Sequence, residues 1–137
     1  MKAAKMREVP GLSGFLAVRG ANSPRCHHPL RMGSRLYVSY WHHGLFILDI
    51  SDMARPKTVA HANTSPAFAH PTHTCLPIPE PLKGRRIMVV ADEDVAKLRP
   101  SSPSFAWIYD ITLEQMPVPT RHSRWPGSTS TAARNRR

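Results

Sequence analysis

Hydrophobic and polar positions along this chain follow a pattern that occurs twice. The segment 33–38 (GSRLYV) recurs as 84–89 (GRRIMV), and the segment 45–51 (LFILDIS) recurs as 105–112 (FAWIYDIT). In both copies a proline follows the aspartate at a distance of seven residues. Short apolar runs that recur along a chain, each ended by a polar turn, are typical of β-units that stack on one another. The pattern therefore predicts an all-β repeat protein.

Each unit is predicted to form consecutive antiparallel strands. The first unit is expected to have strands at 28–32, 35–41, 45–50 and 57–62, and the second at 72–76, 86–91 and 106–111. An inserted loop at 95–104 separates the last two, and Trp41 and Trp107 are expected in the core. His27 and His73 lie 46 residues apart, which fits the roughly 40–50 residues of a propeller blade. Four-stranded meanders are the blades of β-propellers.

The two ends of the chain lack this pattern. Residues 1–25 are predicted to be irregular, and 121–137 to be a basic, disordered tail. Alternation is lost after Thr120, so the second unit is expected to lack its fourth strand. The predicted fold is an all-β, incomplete β-propeller of about two four-stranded antiparallel meander blades within 26–120, blade one at about 27–62 and incomplete blade two at about 72–120. A truncated or frame-shifted reading frame would explain the missing strand and the atypical ends. Unsealed sheet edges predict self-association.

The charge of the chain bears on nucleic-acid binding. The formal net charge is +10, and a basic excess is the electrostatic signature of nucleic-acid binders. However, residues 26–120 hold nine basic and eight acidic side chains, so the excess lies in the two ends. This distribution argues against nucleic acid as a partner. The remaining version of that hypothesis relies on the tail residues Arg134, Arg136 and Arg137.

The apolar runs and the cysteines indicate the cellular compartment in which the protein is expected. No run approaches the roughly 18 apolar residues of a membrane-spanning helix, and no signal-peptide core precedes the repeats. The chain has two cysteines, Cys26 and Cys75. These features predict a cytoplasmic protein with two free thiols and no membrane partner.

The eight histidines of the chain mark the place where chemistry is expected. In an antiparallel meander, the start of the first strand and the end of the second lie at the same end of the sheet. Six histidines map to that end of the two units and form the predicted metal site: His27, His28, His42, His43, His70 and His73. Imidazole suits copper, zinc or iron. The alternative is that these histidines are turn residues that bind nothing.

Other residues near the same end have two interpretations each. The acidic residues 92–94 are either a general acid/base set or part of a turn. Cys75 is either a soft metal ligand or a small buried hydrophobic residue. Asp49 and Asp110 end apolar strands, and we expect their side chains to accept N–H groups of the following turn.

The apolar strands that run into aspartate, 45–49 (LFILD) and 106–110 (AWIYD), resemble the repeat of the LVIVD-repeat β-propeller family. Other stretches that resemble blocks of these proteins are 27–33, 40–42, 70–74 and 91–98. The resemblance covers about 26–120 and implies a ring of several blades. More distantly, this class of propeller is similar to the selenium-binding proteins, some of which are copper-dependent methanethiol oxidases.

Two functions follow from the residues and the resemblance together. The first is a propeller-type binding or scaffold module of unknown ligand, without catalysis of its own. The alternative is a metal-dependent oxidase, related to the selenium-binding proteins, with its metal on the histidine-rich end of the blades.

Overall fold

The structure is a computed structural model that describes residues 25–95 and 103–124. These residues form eight strands: β1 (Pro29–Met32), β2 (Arg35–Ser39), β3 (Leu45–Asp49), β4 (Lys57–Ala62), β5 (Thr72–Pro77), β6 (Ile87–Asp92), β7 (Phe105–Asp110) and β8 (Val118–Arg124). The all-β prediction is confirmed, since every strand predicted from the pattern is present within two residues of its expected bounds. The described residues include no helix that is long and apolar enough to cross a membrane.

The strands form two separate antiparallel meanders, β1-β2-β3-β4 and β5-β6-β7-β8, which we call the first and second sheet. The prediction that the second unit stops after three strands is wrong, because β8 pairs with β7 from Val118 to Arg124. Residues 121–124 therefore belong to a strand and not to the predicted tail. The predicted segment 1–25, apart from Arg25, the rest of the tail, and residues 96–102 of the inserted loop lie outside the described residues.

The end of β8 escapes sequence analysis because its side chains are polar. Near its end, Arg121, His122 and Ser123 have polar, exposed side chains that suit an edge strand. Two interactions nevertheless hold this segment in the sheet. The backbone pairs with β7, and the His122 ring packs 5.2 Å from the Trp107 ring, between centroids. Edge strands need only one such partner, so they show little apolar alternation.

The turns after β3 and β7 are built in the same way. Asp49 Oδ1 accepts the N–H of Ser51 at 2.8 Å, and Asp110 Oδ1 accepts the N–H of Thr112 at 2.9 Å. The prediction that these aspartates serve their turns is confirmed. Hydrogen bonds from Ser51 and from Thr112, respectively, are the main cause that lowers the pKa of each carboxyl. The repeated Asp-Ile-Ser/Thr sequence is thus a repeated turn.

Gly44 is required by the backbone between β2 and β3. Its φ of 78° lies in the left-handed region. An added Cβ would collide with the carbonyl oxygen of Ala62 on β4. Glycine is the residue that combines this conformation with this close approach.

The register of the strands shows which positions of the two sheets are equivalent. Arg35 pairs with Asp49 in the first sheet, as Ile87 pairs with Asp110 in the second. Side chains alternate between the two faces of a strand. In each sheet we call the face that carries the side chains of these pairs the front face, and the opposite face the back face. In the first sheet the front face carries Tyr37 and Ile47, and in the second it carries Val89 and Ile108. The back faces carry Val38 and Phe46, and Val90 and Trp107.

The front face of the first sheet packs against the back face of the second. The main hydrophobic core combines Tyr37 and Ile47 from the first sheet with Val90 and Trp107 from the second, all at most 4% exposed. A second cluster lies on the back face of the first sheet: Val38, Phe46, Leu48 and Ile50. The first sheet is therefore buried on both faces, which accounts for the continuous apolar run of β3. The sheets stack front to back, in the same orientation, and not as mirror images.

Trp41 departs from its prediction. The second strand was expected to reach it, but β2 ends at Ser39, and Trp41 adopts a φ of 46°. Trp107 lies in the core, whereas Trp41 is partly exposed. The Trp41 carbonyl accepts the N–H of Thr72 at 3.1 Å and so joins the end of the first sheet to the start of the second. A left-handed conformation in a bulky residue is uncommon and is kept only where surrounding contacts enforce it.

Candidate metal centre

Three histidines converge where the two sheets meet. His27 and His28 lie just before β1, and His73 is the second residue of β5. His27 and His73 are equivalent positions of the two units, and the front-to-back packing brings them together. One nitrogen from each of the three rings lies within 4.8 Å of the other two. The ring centroids are 4.3 Å apart for His27–His28 and His27–His73, and 4.6 Å apart for His28–His73.

Hydrogen bonds to Nδ1 orient all three rings. His27 Nδ1 is 3.3 Å from the carbonyl oxygen of His73. The hydroxyl of Thr74 is 2.9 Å from His28 Nδ1 and 2.7 Å from His73 Nδ1. A hydroxyl oxygen can accept two hydrogen bonds. When Nδ1 donates to oxygen, the lone pair of the neutral ring is on Nε2, which is how metal-binding histidines are usually held.

Ser39 fixes the backbone beneath these rings. It is fully buried at the end of β2. Its hydroxyl donates to the His73 carbonyl at 2.6 Å and accepts the N–H of His28 at 3.0 Å. One side chain therefore connects the entry to β1, the end of β2 and the start of β5. The spacing of the histidines is set by the sheets and not by a flexible loop.

Glu93 supplies a carboxylate at the same place. It follows β6, and its N–H donates to the Pro71 carbonyl at 2.9 Å. Its Oε2 is 3.8 Å from His27 Nε2. That oxygen is buried and has no hydrogen-bond donor among the described residues. A buried carboxylate oxygen without a donor is costly unless a cation lies beside it.

The electrostatics of the cluster favour a neutral His73 ring. Burial lowers the pKa of His73, and the neighbouring His27 lowers it further. Glu93 acts in the opposite direction and does not reverse the shift. A neutral imidazole is the form that binds a metal. His73 therefore resists the protonation that would compete with a metal ion.

The other three predicted histidines lie outside this cluster. Burial is the main cause that lowers the pKa of His42, and the charges of His43 and His70 add to it. His70 is 5% exposed and faces Asp94, with Nδ1 4.0 Å from Oδ1. The structure thus brings three of the six predicted ligands together and leaves His42, His43 and His70 outside that cluster. Among the described residues, only the group of His27, His28 and His73 has ligand atoms close enough to share a metal.

Asp92 has a structural role. Its Oδ2 accepts the N–H of Phe105 at 3.1 Å and the indole N–H of Trp107 at 3.0 Å. It thereby ties the end of β6 to the start of β7 across the inserted loop. Burial raises its pKa, although these two hydrogen bonds oppose the shift. For Asp92 these contacts support a structural role and not a role as a general acid or base. Glu93, by contrast, faces the histidines.

Cys75 is a small buried hydrophobic residue and not a metal ligand. It is fully buried, and its side chain belongs to the main core. Burial strongly raises the pKa of its thiol, so the thiolate form that binds metals is disfavoured. Both cysteines are free, as predicted. Cys26 precedes His27 and is exposed, but it is not one of the clustered ligands.

Thr74 and Ser39 were missed by sequence analysis. Both are small hydroxyl residues in strands, where such residues commonly fill space. A signal for Thr74 was present, because it occupies in the second unit the position that His28 occupies in the first. The same end also carries Arg25, whose guanidinium carbon lies 5.2 Å from the centroid of the Trp41 ring.

Comparison of this chain with models of protein families, with curated proteins and with solved structures gives no match. The resemblance to LVIVD-repeat propellers therefore stays a prediction that rests on the residues themselves.

Proposed function

We propose that this chain is a β-propeller-type binding module, of the LVIVD-repeat kind, that holds a transition-metal ion between its two sheets. The observation that carries the proposal is the convergence of His27, His28 and His73 with every Nδ1 occupied. Glu93 Oε2 is the fourth ligand. Three imidazoles and one carboxylate form a ligand set that suits zinc, copper or iron better than calcium or magnesium.

The distances agree with this assignment after a small closure. Ligand atoms bonded to one zinc ion at about 2.0–2.1 Å are roughly 3.4 Å apart in a tetrahedral site. His27 Nε2 and Glu93 Oε2 are 3.8 Å apart, and the ring nitrogens lie within 4.8 Å of one another. Metal binding therefore requires the rings and the carboxylate to move closer together, by rotation about their side-chain bonds.

The propeller part of the proposal rests on the front-to-back packing of the sheets. In a β-sandwich, two sheets turn equivalent faces toward each other. Blades of a propeller instead repeat around an axis, so each blade places one face against the opposite face of its neighbour. Tyr37 and Ile47 on one front face, packed against Val90 and Trp107 on the next back face, follow the second arrangement. The equivalent histidine positions then line one end of the ring.

The oxidase remains a second candidate for the same site. If Glu93 swings away, three protein ligands and one open position form the ligand set of catalytic metal sites. The exposed edge of the cluster at His28 favours this possibility, since a small substrate could approach there. Turnover of a thiol by the metal-loaded protein, lost together with metal binding, is the result that would select it.

Metal titration of the full chain tests the proposal. Zn²⁺ binding is measured by calorimetry, and Co²⁺ binding by visible absorption, which reports tetrahedral coordination. Wild type should bind one ion with imidazole ligands. His73→Ala should lose more than the roughly 10–100-fold in affinity that is typical of changes to outer-shell partners. His42→Ala, which removes a predicted ligand that lies outside the cluster, is the matched control and should bind as wild type does.

Stability gives a second readout of the same proposal. The ligands come from both sheets, so a bound ion should oppose their separation. At a free metal concentration of 100 times Kd, the gain in unfolding free energy is about 2.7 kcal/mol. Mg²⁺ at the same concentration should have no effect. Equal metal affinities of the His73→Ala and His42→Ala proteins, or no binding by wild type, would refute the site.

A further inference from the structure

The end of the two sheets opposite the histidines carries most of the exposed apolar side chains. Since the strands are antiparallel, the turns after β1, β3, β5 and β7 all lie at this end, which we call the distal end. Eight large hydrophobic residues of the described part are exposed, and all but Val95 lie in these turns or within two residues of them. The most exposed of them lie within the turns: Met53 (68%), Leu82 (62%), Met116 (59%) and Leu113 (57%).

Backbone hydrogen bonds hold these side chains in place. After β5, the Leu82 N–H donates to the Arg85 carbonyl at 2.8 Å, and the Arg85 N–H donates to the Leu82 carbonyl at 3.0 Å. The two residues between them have positive φ values of 51° and 77°, as in a tight two-residue hairpin. After β7, the Met116 N–H donates to the Leu113 carbonyl at 3.0 Å. A cluster of exposed apolar side chains on ordered turns marks an interaction surface.

The charge of the distal end is positive. The strand ends and turns of this end hold seven basic and five acidic side chains, a net charge of +2, within 31–35, 49–57, 78–86 and 110–118. Four of the five acids pair with arginines: Asp49, Asp52, Asp110 and Glu114. Within the described part of the chain, the charges of this end outside these ion pairs are three cations and one anion: Arg31, Lys57, Lys83 and Glu80. Lys83 is exposed and directly follows Leu82.

We propose that the distal end docks on the surface of an anionic lipid bilayer. Leu82, Leu113 and Met116 enter the boundary between headgroups and acyl chains, and Lys83 lies among the anionic headgroups. Apolar side chains beside cations are the composition that suits this boundary. A protein partner would need a separate pocket for each turn, whereas fluid lipid adapts to all of them. This proposal goes beyond metal binding and does not depend on it.

Docking of this kind differs from the expectation of no membrane partner. That expectation considers only segments that could span a bilayer, and surface docking requires none. Few side chains enter the lipid and few cations contact it, so we expect weak, reversible binding that salt reduces. The histidines lie at the other end of the sheets and face away from the bilayer. A metal ion could therefore bind to the free and to the docked protein alike.

Flotation of the full chain with lipid vesicles tests the proposal, because lipid-bound protein rises whereas aggregated protein does not. Wild type should float with phosphatidylcholine vesicles that contain about one third phosphatidylserine, and less with phosphatidylcholine alone. Leu82→Gln should weaken binding by about tenfold, since one partly buried leucine is lost from the lipid. Lys83→Gln should weaken binding to the anionic vesicles by about fivefold. Both residues are exposed, so circular dichroism should show the sheets retained.

Val95→Gln is the matched control. Val95 is a 41% exposed apolar residue that follows β6 at the histidine end, so its loss should leave vesicle binding unchanged. A second readout places the turn in the bilayer. The fluorescence of Leu82→Trp should be quenched by lipids brominated on their acyl chains beyond the quenching seen in wild type, and that of Val95→Trp should not.

The basic ends of the chain provide a competing explanation for binding to anionic vesicles. Binding through them alone would be insensitive to Leu82→Gln, and that result would overturn the proposal. Lipid-independent oligomers that Leu82→Gln abolishes would also overturn it, because the turns would then bind a second copy. So would a wild type that floats with neither vesicle. Zn²⁺ affinity of Leu82→Gln should equal that of wild type, so failure of docking is distinguishable from failure of the metal site.

Discussion

The two sheets meet at two polar ends that differ in how completely their groups are partnered. At one end, which we call the clamp, Glu114 binds Arg35 at 2.9 Å, Arg86 at 3.1 Å and the Tyr37 hydroxyl at 3.4 Å. At the other, the histidine end, three rings and Glu93 come together, and a buried carboxylate oxygen has no donor among the described residues. A satisfied network stabilises the junction, whereas an incomplete one is available to bind a ligand.

The clamp is held by opposite charges that outweigh desolvation. Glu114 is 9% exposed. Burial is the largest influence on its carboxyl and raises the pKa, but the hydrogen bonds and charges of Arg35 and Arg86 together lower it below its ordinary value. Arg35 also pairs with Asp49 at 3.3 Å. For Tyr37, burial dominates and raises the pKa of the hydroxyl, which remains a neutral donor.

Removing the clamp carboxylate should have the largest effect. Glu114→Ala leaves two arginines without their shared partner, and breaking a buried ion pair from one side costs about 3–5 kcal/mol. We expect about 3 kcal/mol in the free energy of unfolding, measured with denaturant, because both arginines remain partly exposed. Asp52→Asn is the matched control, since its 2.8 Å pair with Arg55 is at the surface. It should cost less than about 1 kcal/mol. Equal costs for the two variants would contradict the clamp.

Removing the shared hydroxyl at the histidine end should affect binding more than stability. Thr74→Val leaves His28 and His73 without their Nδ1 partner and frees both rings to rotate. Loss of such outer-shell contacts lowers metal affinity by about 10–100-fold. The unfolding free energy of the metal-free protein should fall by only about 1 kcal/mol. Thr74→Ser keeps the hydroxyl and should restore Zn²⁺ affinity, measured by calorimetry; a lack of rescue would show that Thr74 acts by packing alone.

Lowering the pH should destabilise the clamp, and comparison with Glu114→Gln separates the contribution of Glu114 from that of the other carboxyls. Its pKa is lowered in the folded protein, so its contribution is fully present above the ordinary pKa and is lost as pH falls through the lowered value. Asp49 and Asp110 have lowered pKa values as well and contribute in the same direction. Unfolding free energy should therefore fall with pH in the metal-free wild type, and by less in Glu114→Gln. Parallel curves for the two proteins would show that Glu114 titrates as an ordinary carboxyl. This is the smallest expected difference of the three.

The histidine end shows how far sequence reasoning reaches toward a site. The spacing of 46 residues between His27 and His73 correctly indicates equivalent positions, and antiparallel pairing correctly places the histidines at one end of their sheets. Pairing alone does not tell which side chains approach one another. That depends on the front-to-back contact between sheets, which brings His73 to His27 and His28 and leaves His42 outside the cluster.

The sequence by itself determined the strands, the turns and the repeat. Alternation with a period of two defines a strand locally, and Asp49 and Asp110 define their turns through bonds to residues two positions away. Only the tertiary structure decided that β8 continues to Arg124, that Thr74 joins two rings, and that Glu114 reaches Arg35. Each of these contacts joins exposed or polar groups that leave no periodic signal. Their partners lie far away in the sequence, and the packing of whole sheets sets the distances between them.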